Sequence, residues 1–400
     1  MKLEIKRGSA SGRINAPPSK SYAHRLLICG ALAKGESVID GISTSVDMEA
    51  TLKCIGALGA EFTKTGDSVS IKGGINRTEE TPVFNCYESG STLRFFIPIA
   101  LTGGQGCTFV GSERLMSRGL EVYEEIFKKQ NIQCIKEKTS LTLKGNLKPD
   151  VFSVRGDISS QFISGLLFAL PLLNGDSIIN LTTELESRAY VDITIEALKL
   201  FGIEVERTAH SFYIKGNQKY RAGNHRVEGD YSNAAFLDAF NLLGGDVSVL
   251  GLNEQSIQGD KIYKEYFEKI NQGTPDLDIS NCPDLGPVLF TLAALKNGAR
   301  FTGTRRLKIK ESDRALAMQA ELSKLGVKVD VFENAVTVCG GAKAPSEILC
   351  GHNDHRIVMA LAVALSYLGG AIDGTQAVTK SYPDFFEEIA KLGIRSEEIK

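Results

Sequence analysis

Three segments gather serine, lysine and arginine directly ahead of apolar helical runs: Pro-Pro-Ser-Lys-Ser-Tyr-Ala-His-Arg (17–25), Glu-Ser-Gly-Ser-Thr-Leu-Arg (88–94) and Gly-Asp-Ile-Ser-Ser-Gln-Phe (156–162). In the first, Ser19 or Ser21 can cap the helix. The free N–H groups and the helix dipole then favour an anion, with Lys20 and Arg25 to complete its site. Around Gly90 the residues are small, so a ligand oxyanion can approach the backbone amides closely. In the third segment Ser159, Ser160 and Gln161 are more polar groups than one cap requires. Each segment alone also reads as an ordinary capped helix with solvated charges. Ser187-Arg-Ala-Tyr190 and Arg114-Leu-Met-Ser-Arg118 repeat the pattern more weakly.

The C-terminal half adds Arg305-Arg-Leu-Lys-Ile-Lys-Glu-Ser-Asp-Arg314, Asp354-His355-Arg356 and Lys380. The 305–314 run reads equally well as a solvated face. Asp284, in Cys-Pro-Asp-Leu-Gly-Pro ahead of another apolar helix, is the one acidic candidate in a comparable place. Walker A, GxSxG and HExxH patterns are absent. His24, His210, His225 and His352 read as structural or exposed. Cations and hydroxyls at helix starts in both halves suit one or two small substrates bearing phosphate and carboxylate.

The elements that must hold these residues recur along the chain, and such repetition outranks any single motif. One pattern is an Ala/Leu-rich run, then glycine, then a β-branched run, as in GALAKGESVIDG (30–41), AFNLLGGDVSVLG (239–251) and ALSYLGGAIDG (364–374). Six copies are spaced by about 70 residues, apart from one gap nearer 53. Between them lie amphipathic helices closed by glycine and followed by two alternating runs across a polar turn, as in IEALKLFGIEVERTAHSFYIKG (195–216). This predicts a helix packed on a hairpin. Six strand–helix–strand–helix–strand–strand units follow, in two domains of three. The predicted domains are residues 1–18 with 229–400, and 19–228, with the active site in the cleft between them.

The 400 residues carry 46 Lys+Arg against 48 Asp+Glu, a net charge of −2 that excludes a broadly basic nucleic-acid surface. Eight cysteines and five histidines show no metal-ligand spacing. The cysteines read as reduced core thiols of a cytosolic protein. The opening MKLEIKRGSASG lacks the apolar region of a signal peptide, and the longest apolar stretch, 162–173, is too short to span a bilayer. A soluble cytoplasmic protein is expected, with the Asn-x-Thr sites at Asn76 and Asn180 unmodified.

Taken in order, Ser-Lys-Ser-x-x-x-Arg (19–25), Gly-Asp-Ile-Ser-Ser-Gln-Phe, Val-Glu-Gly-Asp-Tyr-Ser (227–232), Lys-Glu-Ser-Asp-Arg (310–314), Asp-His-Arg (354–356) and Lys-Ser-Tyr-Pro-Asp-Phe-Phe (380–386) make the chain resemble the 5-enolpyruvylshikimate-3-phosphate synthase family nearly end to end. The resemblance implies an α/β fold of two domains, each of three βαβαββ units around a pseudo-threefold axis, an inside-out α/β barrel. It implies transfer of the enolpyruvyl group of phosphoenolpyruvate to the 5-hydroxyl of shikimate 3-phosphate, with release of phosphate. By motif, Lys20, Ser21, Arg25, Ser159, Ser160, Gln161, Ser187, Tyr190, Asp284 and Lys310 would bind shikimate 3-phosphate. Lys20, Gly90, Arg118, Gln161, Arg314, Arg356 and Lys380 would bind phosphoenolpyruvate, with the two arginine forks on its carboxylate. Asp284, Glu311 and Lys20 would be catalytic, Asp284 on the 5-hydroxyl and Glu311 as proton donor to the methylene carbon.

The resemblance further implies no cofactor, no metal, a monomer, no nucleic-acid or membrane partner, and sensitivity to glyphosate through Gly90. Glu88, Ser91 and Arg306 depart from the family's common Asn, Thr and Asn. Two other readings are a sister enolpyruvyl transferase acting on UDP-N-acetylglucosamine and a non-catalytic anion-binding protein of the same fold. The first lacks support because Ser21 follows Lys20 and Arg114–Arg118 contains no cysteine. The second would be favoured by loss of Asp284, Glu311 or Lys20, all of which are present.

Overall fold

The computed structural model describes residues 1–75, 81–104 and 106–399, so Asn76 lies outside the described residues. The chain forms two compact units, Met1–Ser19 with Gly229–Lys400, and Lys20–Glu228.

One repeat of the second unit shows how local sequence becomes architecture. Val83–Tyr87 runs into the helix Gly90–Ala100, which returns the chain to a parallel strand, Cys107–Gly111. The helix Glu121–Gln130 then leads to the hairpin Gln133–Lys136 and Ser140–Lys144. Ser140–Lys144 pairs antiparallel with Cys107–Gly111, giving a four-stranded sheet with the hairpin at its edge. The alternation places Phe84, Phe109 and Leu141 on the inner face, where the two phenyl rings stack at 4.8 Å. Each such buried side chain contributes roughly 1.5–3 kcal/mol. Asn131, at φ 57°, takes the left-handed position that closes the helix, a role asparagine tolerates.

The same order recurs in Val151–Val154, Ser177–Leu181, Ser211–Ile214 and Glu206–Arg207. It recurs again in Asp276–Asp278, Gly298–Thr302, Ala335–Cys339 and Val329–Val331. Two repeats are completed by strands distant in sequence. His225–Arg226 pairs parallel with Gly35–Asp40, and Lys2–Ile5 lies between Gly370–Asp373 and Ser396–Ile399. The remaining sheet has two strands, Ser11–Asn15 and Asp246–Leu250, because the helix Tyr263–Gln272 leads straight into Asp276–Asp278 without a hairpin. That omission accounts for the shortened glycine spacing in the sequence.

The central helices of each unit are largely apolar and almost wholly buried. Gly286–Leu295 and His355–Leu368 serve in one unit, and Ser160–Ala169 and Gly90–Ala100 in the other. Gly165 marks where the last two touch most closely: a Cβ there would collide with the Tyr123 hydroxyl and the Arg94 carbonyl. The amphipathic helices Glu121–Gln130 and Tyr263–Gln272 bury one stripe each. No described helix is long and apolar enough to cross a membrane. The expectation of core thiols needs correction at two positions: Cys339 and Cys350 are exposed, each the last residue of its strand, where the chain turns out of the sheet.

Candidate functional site

In the unit Lys20–Glu228 the polar residues collect at helix N-termini. Ser159 is extended and caps the helix Ser160–Ala169, its hydroxyl accepting from the Gln161 amide at 3.3 Å. The Gln161 side chain accepts from Arg94 Nη1 at 2.7 Å and donates to Ser91 Oγ at 2.9 Å. Arg94 donates from Nη2 to the Arg118 carbonyl at 2.8 Å and lies over the Phe162 ring. The Arg118 guanidinium covers Gly90 so closely that a Cβ there would lie 2.6 Å from Nη1. Ser89 caps the Gly90 helix, accepting from Thr92 N at 3.3 Å. Gly90, Arg118 and Gln161 are thus brought into one cluster, with Arg94 as its buried hub. Sequence reasoning had Arg94 only as the end of a segment; an arginine inside an apolar helix was its available signal.

The segment bearing Ser159 and Ser160 is tied to the one bearing Ser187. Thr183 Oγ1 accepts from the amides of Gly156 and Asp157, at 3.0 and 3.2 Å, and the Glu186 amide donates to the Gly156 carbonyl. Ser187 is buried with φ at 54°, a left-handed backbone that a non-glycine residue adopts at a cost of order 1 kcal/mol. Such strain concentrates where a side chain must be aimed.

Arg25 is buried and makes four bonds: Nε to Thr194 Oγ1 at 2.7 Å, Nη1 to the Ser21 carbonyl at 2.7 Å, and Nη2 to the Tyr190 carbonyl at 2.8 Å and Ser164 Oγ at 3.4 Å. It locks three helices and brings Ser21 and Tyr190 together. Lys20 Nζ meets Asp47 Oδ2 at 2.8 Å. Asp47 was missed from the sequence, where it looks like an ordinary acidic residue in a helix's first turn.

The unit of residues 1–19 and 229–400 holds a denser cluster. The short turn Pro283–Leu285 presents Asp284 ahead of the helix Gly286–Leu295. Three cations surround its carboxylate: Arg314 Nη1 at 2.8 Å, Lys310 Nζ at 3.1 Å and Arg356 Nη2 at 3.1 Å. Burial alone would push the Asp284 carboxyl up, but Arg356, Lys310 and Arg314 together hold it well below the carboxylate range. Burial pulls the Lys310 ammonium down to about 8 despite Asp284.

Asp354 caps the helix His355–Leu368 and fixes both arginines. It accepts from the Arg356 amide at 3.0 Å and from Arg314 Nε at 2.8 Å. Arg356 Nη1 also donates to Ser232 Oγ at 2.6 Å. Glu311 Oε2 lies 3.0 Å from His355 Nδ1 and 3.8 Å from Lys380 Nζ, and Lys380 donates to the Asn353 carbonyl at 2.6 Å. Asp284, Lys310, Glu311, Arg314, Arg356 and Lys380 are thus gathered in one place. The arrangement offers two guanidinium forks for a carboxylate, with two acidic side chains set around them. Glu311, Asp354 and His355 stand close enough for a cation, yet Asp354 is already committed to Arg314.

The model of the family "EPSP synthase (3-phosphoshikimate 1-carboxyvinyltransferase)" matches residues 5–389. A 3-phosphoshikimate 1-carboxyvinyltransferase of Clostridium kluyveri is 43% identical over an alignment covering 96% of this chain and 95% of the relative. That of Clostridium acetobutylicum is 42% identical with the same coverage, 96% and 95%. Among solved structures, EPSP synthase from Acinetobacter baumannii superposes with a TM-score of 0.79 at 22% identity, covering 99% of this chain and 100% of that one. The enolpyruvyl transferase NikO from Streptomyces tendae gives 0.76 at 13% identity, covering 99% and 98%. The structural likenesses establish the two-domain enolpyruvyl transferase fold. The family match and the sequence relatives go further: this chain belongs to the EPSP synthase (3-phosphoshikimate 1-carboxyvinyltransferase) family.

Proposed function

We propose that the chain transfers the enolpyruvyl group of phosphoenolpyruvate to the 5-hydroxyl of shikimate 3-phosphate and releases phosphate, a step of aromatic amino acid biosynthesis. The observation that carries this reading is the convergence of Lys310, Arg314 and Arg356 on Asp284 in a chain of this family. A planar, doubly forked arginine pair suits a small carboxylate.

In this reading Arg314 and Arg356 hold the phosphoenolpyruvate carboxylate, while Lys20, Gly90, Arg118, Gln161 and Lys380 hold its phosphate. Ser159, Ser160, Gln161, Ser187 and Tyr190 take the phosphate and ring of shikimate 3-phosphate, with Lys20, Ser21, Arg25 and Lys310. Glu311, beside His355 and Lys380, delivers a proton to the methylene carbon. The neighbouring carbon becomes cationic and accepts the 5-hydroxyl oxygen, whose proton goes to Asp284. The tetrahedral adduct then expels phosphate, whose charge Lys20 and Arg118 stabilise, as the Glu311 carboxylate takes a proton back from the methyl group. The reading gives no step to a metal or organic cofactor and takes the chain as a cytoplasmic monomer.

The deciding assay is phosphate release with the purified chain. Release that requires both substrates together supports the reading. Release from phosphoenolpyruvate alone, or with UDP-N-acetylglucosamine in place of shikimate 3-phosphate, or none at all, rejects it.

A further inference from the structure

Glu321 lies on the helix Arg314–Lys324, two turns beyond Arg314, with its carboxylate 2% exposed. A buried carboxylate is costly unless its oxygens are satisfied. Three donors reach this one: His352 Nε2 at 2.7 Å, the Cys350 backbone amide at 2.8 Å and Lys324 Nζ at 2.8 Å. Burial pushes the Glu321 carboxyl up, but those bonds overcome it and hold it below its ordinary value, so it stays ionised near neutral pH.

Two of the donors come from the stretch between the strand Leu349–Cys350 and the helix His355–Leu368: the strand's last residue and the turn that follows it. Within that turn His352 and Asn353 are both left-handed, at φ 49° and 52°. Asparagine and histidine visit this region more often than most residues, yet without glycine's freedom it still costs them of order 1 kcal/mol. The turn ends in Asp354, which caps the helix that carries Arg356, while Arg314 starts the helix that carries Glu321.

We infer that Glu321 is a positioning residue: by gripping His352 and the Cys350 amide it holds the left-handed 352–353 turn and so sets Arg356 at its working distance from Arg314. The inference rests on reading those two arginines as the phosphoenolpyruvate carboxylate clamp. Glu321 touches no substrate in that reading. It ties the helix of one arginine to the turn of the other.

The test measures steady-state KM for phosphoenolpyruvate and the Kd of shikimate 3-phosphate in variants of the full chain. Glu321→Gln should raise that KM about tenfold, the loss of one charge-assisted bond, with kcat and the shikimate 3-phosphate Kd much less changed. His352→Ala, at a more exposed position, loses the imidazole bond yet keeps the backbone penalty, and should raise KM about fivefold. His352→Gly loses the same bond without the penalty and should lie closer to the parent, and in Glu321→Gln it should recover part of the lost affinity.

A normal KM in His352→Ala, or His352→Gly as impaired as His352→Ala, overturns the inference even if Glu321→Gln does not fold. So does a Glu321→Gln chain with lowered active fraction but unaltered KM, which would mark a merely structural carboxylate. Arg356→Ala separates the layers. If it leaves the phosphoenolpyruvate KM unchanged, the clamp reading itself fails, and the inference with it. If it raises KM while the Glu321 and His352 variants do not, only the positioning role fails.

Discussion

Asp284 is held by three cations before any ligand arrives, and its low pKa follows from that geometry. Its contribution to stability is present above the unfolded carboxyl pKa, about 3.9, and is lost as pH falls through the lower folded value. Acid sensitivity of the base itself is therefore absent near neutrality. Asp284→Asn should cut kcat by roughly 10²–10⁴-fold while changing phosphoenolpyruvate affinity far less; near-normal turnover would remove it from the mechanism.

Lys310 behaves in the opposite sense. With a folded value of about 8 against roughly 10.4 unfolded, the native chain holds fewer protons in that window, so this group makes stability rise with pH across it. Anion binding that needs the ammonium nevertheless weakens above pH of about 8. Lys310→Arg should move the alkaline limb of the kcat/KM profile upward by at least about one pH unit, because a guanidinium stays charged. An unmoved limb would assign it to another group. At Gly90 the added methyl of Gly90→Ala would press on the Arg118 guanidinium, the far end of a flexible side chain. The fold should survive, with KM for phosphoenolpyruvate raised and the glyphosate inhibition constant raised more. Steady-state inhibition at several phosphoenolpyruvate concentrations checks both, and an unchanged inhibition constant would show that Arg118 yields freely.

Between helices, the fork of Arg25 matters more than its charge. It bonds Tyr190, Ser164 and Thr194 on two neighbouring helices as well as its own Ser21 carbonyl. Arg25→Lys keeps the cation but cannot reproduce four directional bonds, so it should cost about 2–4 kcal/mol in denaturant unfolding and weaken shikimate 3-phosphate binding. Equal midpoints for the two chains would reduce Arg25 to a charge. The repeats were legible in the sequence because glycine ends each central helix and a β-branched run follows, a local signal. The missing hairpin was visible only as a shortened spacing, since nothing in residues 251–275 announces a strand that is absent. Motif residues such as Ser159, Asp284 and Arg356 could be named because they sit at helix starts. Asp47, Arg94 and Glu321 could not, because their importance lies in partners 27, 67 and 31 residues away.

Across the molecule, burial sorts the eight thiols. Only Cys339 and Cys350 are exposed, Cys134 is half-buried, and burial pushes Cys29 and Cys107 up from ordinary thiol values. A thiol reagent should label two cysteines quickly in the native chain, a third slowly, and all eight after denaturation. Rapid native labelling of five or more would contradict the burial of these thiols in the cores.

The strand Lys2–Ile5 has a different kind of consequence, one of timing. It is among the earliest parts of this sequence to leave a ribosome, yet its partners are Gly370–Asp373 and Ser396–Ile399. Residues 20–228 can close on themselves once His225–Arg226 has emerged to meet Gly35–Asp40. The other unit must keep the strand Lys2–Ile5 waiting until residues 370–399 have emerged. Contacts so distant in sequence form slowly, and an unpaired strand edge is prone to misassociation in the interval. The nascent chain thus acquires one finished unit while the strand Lys2–Ile5 of the other still lacks both neighbours, which makes residues 370–399 the gate for completing that unit.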